Sequence, residues 1–169
     1  NIYKRFAKPL LDRIYSNGSV SHVEDGDWFG NDTVWRMVLD LNTLLFYASP
    51  EGDLLGVPQR RYFSVIDGII GGMEEGPLKP RPHPAGLLIA GFNPVAVDMV
   101  CTRMMGFDYR KIPKVLRAAE RDWLPLGHYT PDDLTIESNT LRWREIFRSR
   151  DPGLGFTPSV GWRGHIEID

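Results

Sequence analysis

Four carboxylates fall in one short part of the chain: Asp67, Glu74, Glu75 and Asp98, separated by glycine-rich backbone. Oxygen ligands of this kind suit a hard cation such as Mg2+ or Ca2+, and Asp67 with Asp98 forms the candidate metal pair. Carboxylates held in unlike environments can instead divide acid and base work between them. Their spacing matches no EF-hand. The same loop carries Lys79, Arg81 and His83, so an anionic ligand is equally permitted. A plainer reading also fits, in which Glu74 and Glu75 are solvated and the glycines only allow a tight path.

Asp98 stands apart because of its surroundings. It is the only carboxylate in a helix-prone run with Val95, Ala96, Val97, Met99, Val100, Cys101, Met104 and Met105. A helix apolar all round is a buried helix, and a buried carboxylate needs hydrogen bonds, a cation or a proton. We therefore expect Asp98 to be largely buried. It would be bonded either to nearby backbone or an arginine, or to donors of the 67–77 loop as part of a polar site.

The elements that must position these groups follow from local pattern. Tyr62 to Ile66 is a short β-prone run ending at Asp67-Gly68. A loop with Gly68, Gly71, Gly72, Gly76 and Gly86, and with Pro77, Pro80, Pro82 and Pro84, comes next. Leu87-Leu88-Ile89-Ala90 is a continuous apolar run, as in a strand covered on both faces. Asn93-Pro94 starts a helix, with Asn as N-cap and Pro at the first helical position. Gly106 ends it as a left-handed cap.

Upstream, Asn31 or Asp32 caps a helix whose Val34, Met37, Val38, Leu41, Leu44 and Leu45 make an apolar stripe. Asp32, Arg36 and Asp40 sit at i, i+4 and i+8. They form either a solvated face or, with Asn31, the mouth of a site; we expect Trp35 and Arg36 near the Asp67 loop. Ile2, Phe6, Leu10, Leu11 and Ile14 recur at helical spacing near the start, with Pro9 as a break. Beyond Gly106 we expect a short helix from Pro113, a short edge strand at Leu134 to Glu137, and one or two helical turns from Leu141. The glycine- and proline-rich tail closes with Trp162, His165 and Ile166, which point to an ordered end.

Composition bounds the class. With 169 residues, 42% hydrophobic and 25% charged, the chain is long enough for one globular domain with a real core. A net charge of −2 argues against a broad nucleic-acid surface. No apolar run reaches the roughly 18 residues of a membrane span, and no signal-peptide pattern stands at the start. The expected location is cytoplasmic. A single cysteine, Cys101, excludes an internal disulfide and a cysteine-based zinc or iron–sulfur site in this stretch. Phosphate-loop, dinucleotide, nucleophile-elbow and HExxH patterns are absent, and the four histidines are scattered. The residues single out no cofactor and no reaction.

The run VIDGIIGG…GPL…GLLIAGFNPVAVDMV…MMGFD resembles the domain of unknown function 362 family (DUF362), and so do GNDTVWRMVLDLN and the closing GWRGHIE. The resemblance implies that Asn31, Asp32, Asp67, Gly76, Pro77, Asn93, Pro94 and Asp98 are signature positions. It implies a neutral residue where Glu75 stands, which weakens Glu75 as a ligand. It also implies the C-terminal part of a longer protein, in a family often associated with ferredoxin-type iron–sulfur segments. None of those cysteines occurs here.

The resulting expectation is an α/β fold, a single domain over residues 1–169, with a small mixed sheet and packed helices. Strands at about 61–67 and 86–91 should pair, with helices at about 31–48 and 94–105 on them. Two functions compete. One is an enzyme half that binds a small polar or anionic ligand, with or without a divalent cation, through Asn31, Asp32, Arg36, Asp67, Gly76, Asn93 and Asp98. The other is a non-catalytic domain packing against an N-terminal iron–sulfur or cofactor domain of the same parent protein. A pocket with converging carboxylates favours the first; an exposed apolar patch favours the second.

Overall fold

A computed structural model describes residues 26–76, 79–127 and 129–168. The amphipathic pattern at residues 2–15 and the signature residue Pro77 lie outside the described residues. The fold is α/β. Its main elements are α1 (Val34–Tyr47), β1 (Ser64–Gly68), β2 (Gly71–Glu75), β3 (Lys79–His83), β4 (Leu87–Gly91), α2 (Pro94–Met105), α3 (Pro113–Glu120) and α4 (Leu141–Arg144). Single 3-10 turns occur at Tyr109–Lys111 and Pro131–Asp133.

The expected pairing is present: β1 and β4 run antiparallel, with Ile66 opposite Ile89 and Asp67 opposite Leu88. The sheet itself is divided. In place of one mixed sheet there are two separate two-stranded antiparallel ladders, β1–β4 and β2–β3. The second ladder occupies what reads in sequence as a Gly/Pro loop. Proline cannot donate to a ladder, but Pro80 and Pro82 fall at alternate positions of β3. Successive residues of a strand turn their N–H groups to opposite sides, so Lys79, Arg81 and His83 remain to pair with β2. Leu134 to Glu137, expected as a short edge strand, joins no strand among the described residues.

α2 begins and ends where its caps require. Asn93 Oδ1 accepts from the N–H groups of Val95 and Ala96, and Gly106 closes the helix at φ 95°. Val95 and Met99 bury against Leu39, Phe46 and Tyr47 of α1 and against Val115, Ala118 and Ala119 of α3. Met99 is fully buried. Met104 forms a second cluster with Trp143 and Ile146, on which Leu87 and Ile89 of β4 pack.

Two apolar surfaces expected in the core are outside it. The buried face of α1 is Leu39, Thr43, Phe46 and Tyr47, while Val34, Met37, Leu41, Leu44 and Leu45 are exposed, Leu41 by 57%. The reason is the side on which α3 packs: it meets the row through Leu39, a few positions round the helix from the longer row. β4 is covered on one face only. Leu88 is 70% exposed and Val65, on the same outer face of β1, 63%. Among the described residues, no helix is long and apolar enough to cross a membrane.

Candidate functional site

One large cleft, about 1260 Å³, lies between the helices and the β2–β3 ladder. Its walls come from segments far apart in the chain: Gly26 to Asn31, the start of α1 at Val34 and Trp35, β2 with Gly76, the start of α3, and the tail from Phe156. α2 contributes Asp98, Cys101, Thr102 and Met105, spaced i, i+3, i+4 and i+7, which is one face of a helix. The walls are mostly apolar, with the carboxylates of Asp27, Glu74, Glu75 and Asp98 and the ammonium groups of Lys79 and Lys114 set among them.

The tail is a structural part of this cleft. The Glu74 N–H donates to the Thr157 carbonyl at 2.9 Å, and the Val160 N–H donates to Glu75 Oε1 at 3.0 Å. The Phe29 N–H donates to the Gly161 carbonyl at 2.8 Å, and the His165 ring stacks on Phe29 with centroids 4.4 Å apart. Beyond the cleft, the Asp108 N–H donates to the Ile166 carbonyl and the Ile168 N–H to the Gly106 carbonyl. Gly161 has no alternative: a Cβ there would run into the Asp27 backbone. Glu74 holds φ 68°, a left-handed conformation that costs a non-glycine residue energy, and its carboxylate pairs with Arg81 at 2.9 Å.

Of the seven candidate ligand residues, Asn31, Gly76 and Asp98 line the cleft. The other four do not. Asp32 and Arg36 form an exposed ion pair at 2.9 Å, and the Arg36 guanidinium holds the Asp32 carboxyl below its usual range. Trp35 lines the cleft and donates to Asp32 Oδ1 at 3.0 Å. Arg36 instead borders a shallow groove with Arg117 and Arg121. Asp67 Oδ1 turns back to accept from the Ile69 N–H at 3.2 Å. Asn93 is occupied as the cap of α2 and as donor to the Leu126 carbonyl. Among the described residues, no three His, Cys, Asp or Glu side chains converge to hold a metal ion.

Asp98 corrects the expectation of deep burial and of bonds to the 67–77 loop. It is exposed on the cleft wall and makes no hydrogen bond among the described residues. The apolar pattern of α2 does bury Val95, Val97 and Met99, but a cleft runs along the side that carries Asp98. Protein mass around that side still removes solvation, which raises the Asp98 pKa; the charge of Lys114 opposes the rise. The same burial, with the Asp98 carboxylate nearby, pushes the Cys101 thiol up to about 12. Both causes favour the neutral thiol of Cys101 over the nucleophilic thiolate.

Sequence patterns missed Lys114, Met73 and Phe156 as cleft residues. Nothing in their local spacing marks them, since each is brought in by packing. The tail was better signalled, by Trp162, His165 and Ile166 clustered after a glycine-rich stretch.

The family model for a domain of unknown function, DUF362, matches residues 15–103, more than half of the chain. The chain belongs to the DUF362 family. The match contains Asn31, Gly76 and Asp98, whereas Lys114 and the tail that closes the cleft lie beyond it. No curated protein and no solved structure matches the chain.

Proposed function

We infer that this DUF362 chain is a ligand-binding domain, an enzyme half whose cleft takes a small polar or anionic ligand. One observation carries the reading. Asn31, Gly76 and Asp98, on three separate segments, line one cleft together with charged groups and apolar walls, the usual make-up of a small-molecule site. The open carboxylate of Asp98 and the ammonium groups of Lys79 and Lys114 supply the polar contacts.

The test is a thermal-shift and ligand-observed NMR screen of small polar metabolites against the chain and against Val160→Trp. Val160 is exposed and lines the cleft, so an indole there obstructs the opening without disturbing the core. Compounds that bind the wild type and are lost in the variant support the reading. A screen with no binder, or binders indifferent to the variant, overturns it.

Exposed apolar residues on two elements favour the second function, docking against another domain of the parent protein. α1 leaves Met37, Leu41 and Leu44 uncovered, and the β1–β4 ladder leaves Val65 and Leu88 uncovered. A two-stranded ladder is marginal by itself, and contiguous apolar surface marks interaction sites. Hydrogen exchange compared between the chain and its parent protein tests this: α1 and β1 amides should be slower in the parent. Equal exchange would remove the docking reading.

A further inference from the structure

Asp98 and Lys114 line the same cleft, one from α2 and the other from the first turn of α3. The Lys114 ammonium acts on the Asp98 carboxylate through space. Both side chains are exposed, and no ion pair or hydrogen bond joins them. Elsewhere on the wall, Glu74 is bonded to Arg81 and Glu75 to the Val160 amide. Asp98 and Lys114 are thus an acid and a base facing one space with neither closed on the other.

Beside them the cleft is apolar. Cys101 and Met105 follow Asp98 along α2, and Phe156 and Trp162 of the tail contribute aromatic wall. A simple anion placed here meets repulsion from Asp98, and a simple cation meets repulsion from Lys114. A ligand carrying both charges satisfies both groups by charge-assisted hydrogen bonds, and an apolar body gains by leaving water against the walls.

We propose that the cleft takes a free α-amino acid with a large apolar side chain, its ammonium on Asp98 and its carboxylate on Lys114. The proposal rests on the ligand-binding reading above and narrows it to a zwitterion. The cleft volume of about 1260 Å³ leaves room for the bulkiest apolar side chains.

Calorimetric titration of the 169-residue chain with L-phenylalanine, phenethylamine and 3-phenylpropionate tests this. L-Phenylalanine should bind, and each singly charged analogue should bind about tenfold more weakly or worse, since it leaves one protein charge unanswered. Asp98→Asn and Lys114→Met should each weaken L-phenylalanine binding by about tenfold, with circular dichroism unchanged and melting not lowered, because both side chains are exposed. No binding of L-phenylalanine, an analogue that binds equally well, or both variants binding like wild type would each overturn the proposal. If L-phenylalanine fails while another compound binds in a manner abolished by Val160→Trp, the zwitterion falls and the cleft reading stands. If nothing binds in that manner, both fall.

Discussion

The side-chain amide of Asn93 donates to the Leu126 carbonyl at 2.9 Å while its Oδ1 caps α2. One residue therefore fixes where the helix carrying Asp98 begins and ties it to the loop after α3. Gly127 must lack a Cβ for this to happen, because a Cβ there would press on the Asn93 side chain.

Asn93→Ala should destabilise by about 1–2 kcal/mol for the lost cap, with a further loss of about 1 kcal/mol or more for the buried carbonyl left unpaired. Asn93→Ser keeps a cap acceptor and removes the donor to Leu126 without setting a charge against that carbonyl, so it should fall between wild type and Ala. Urea denaturation of the three proteins checks the order. A Ser variant less stable than Ala would refute this division of roles.

Asp98→Asn should leave stability at pH 7 within about 0.5 kcal/mol of wild type or slightly above it. Burial raises the Asp98 pKa in the folded protein, so the folded chain holds that proton more readily than the unfolded one. Its ionisation therefore costs stability as pH rises from the ordinary carboxylate range towards the raised value. The advantage of Asn over Asp should accordingly grow from pH 4 to pH 7. Melting temperatures across that range test it, and a clear loss for Asn at pH 7 would restore the view of Asp98 as a structural keystone.

The Arg142–Asp151 pair has the opposite sign. Arg142 donates to both Asp151 oxygens at 2.6 and 2.8 Å, and the Gly153 N–H donates to Oδ1 at 2.8 Å. These bonds, with the Arg142 guanidinium first, lower the Asp151 pKa to about 2 from 3.8. Its stabilisation is complete above the ordinary carboxylate range and is lost as pH falls towards 2. Asp151→Asn should cost about 1–2 kcal/mol at pH 7, and the gap to wild type should narrow as pH is lowered from 4 to 2. Denaturant midpoints measured through that window decide it; a gap independent of pH would show that charge is not the cause.

Leu39 and Leu41 lie two positions apart on α1 with opposite fates. Leu39→Ala should cost about 2–5 kcal/mol as a buried truncation, and Leu41→Ala less than about 0.5 kcal/mol as an exposed one. Equal costs for Leu39 and Leu41 would place the helix on the wrong face.

Local rules were enough for much of this chain. Asn93, Pro94 and Gly106 set α2 because capping depends only on neighbouring backbone groups. The apolar runs around Val65 and Ile89 mark paired strands, whereas the N-cap of α1 is Thr33 and not Asn31 or Asp32, with Asn31 Oδ1 accepting from the Thr33 and Val34 N–H groups just before the helix. The run from VIDG to NPVAVD carried the family, since it is a string of residue types. The β2–β3 ladder was hidden because alternate prolines read as loop until a partner strand takes up the remaining N–H groups.

Which side of each element meets protein and which meets space is set by packing between elements distant in the chain. The stripe on α1 is a valid amphipathic pattern, yet α3 packs on the neighbouring row, which the sequence of α1 cannot encode by itself. Asp98 sits in an apolar helix, yet the face it occupies borders a cleft. The cleft is built from residues as distant as Trp35, Asp98, Lys114 and Trp162. Such a site has no local signature, because long-range packing, and not spacing along the chain, sets its distances.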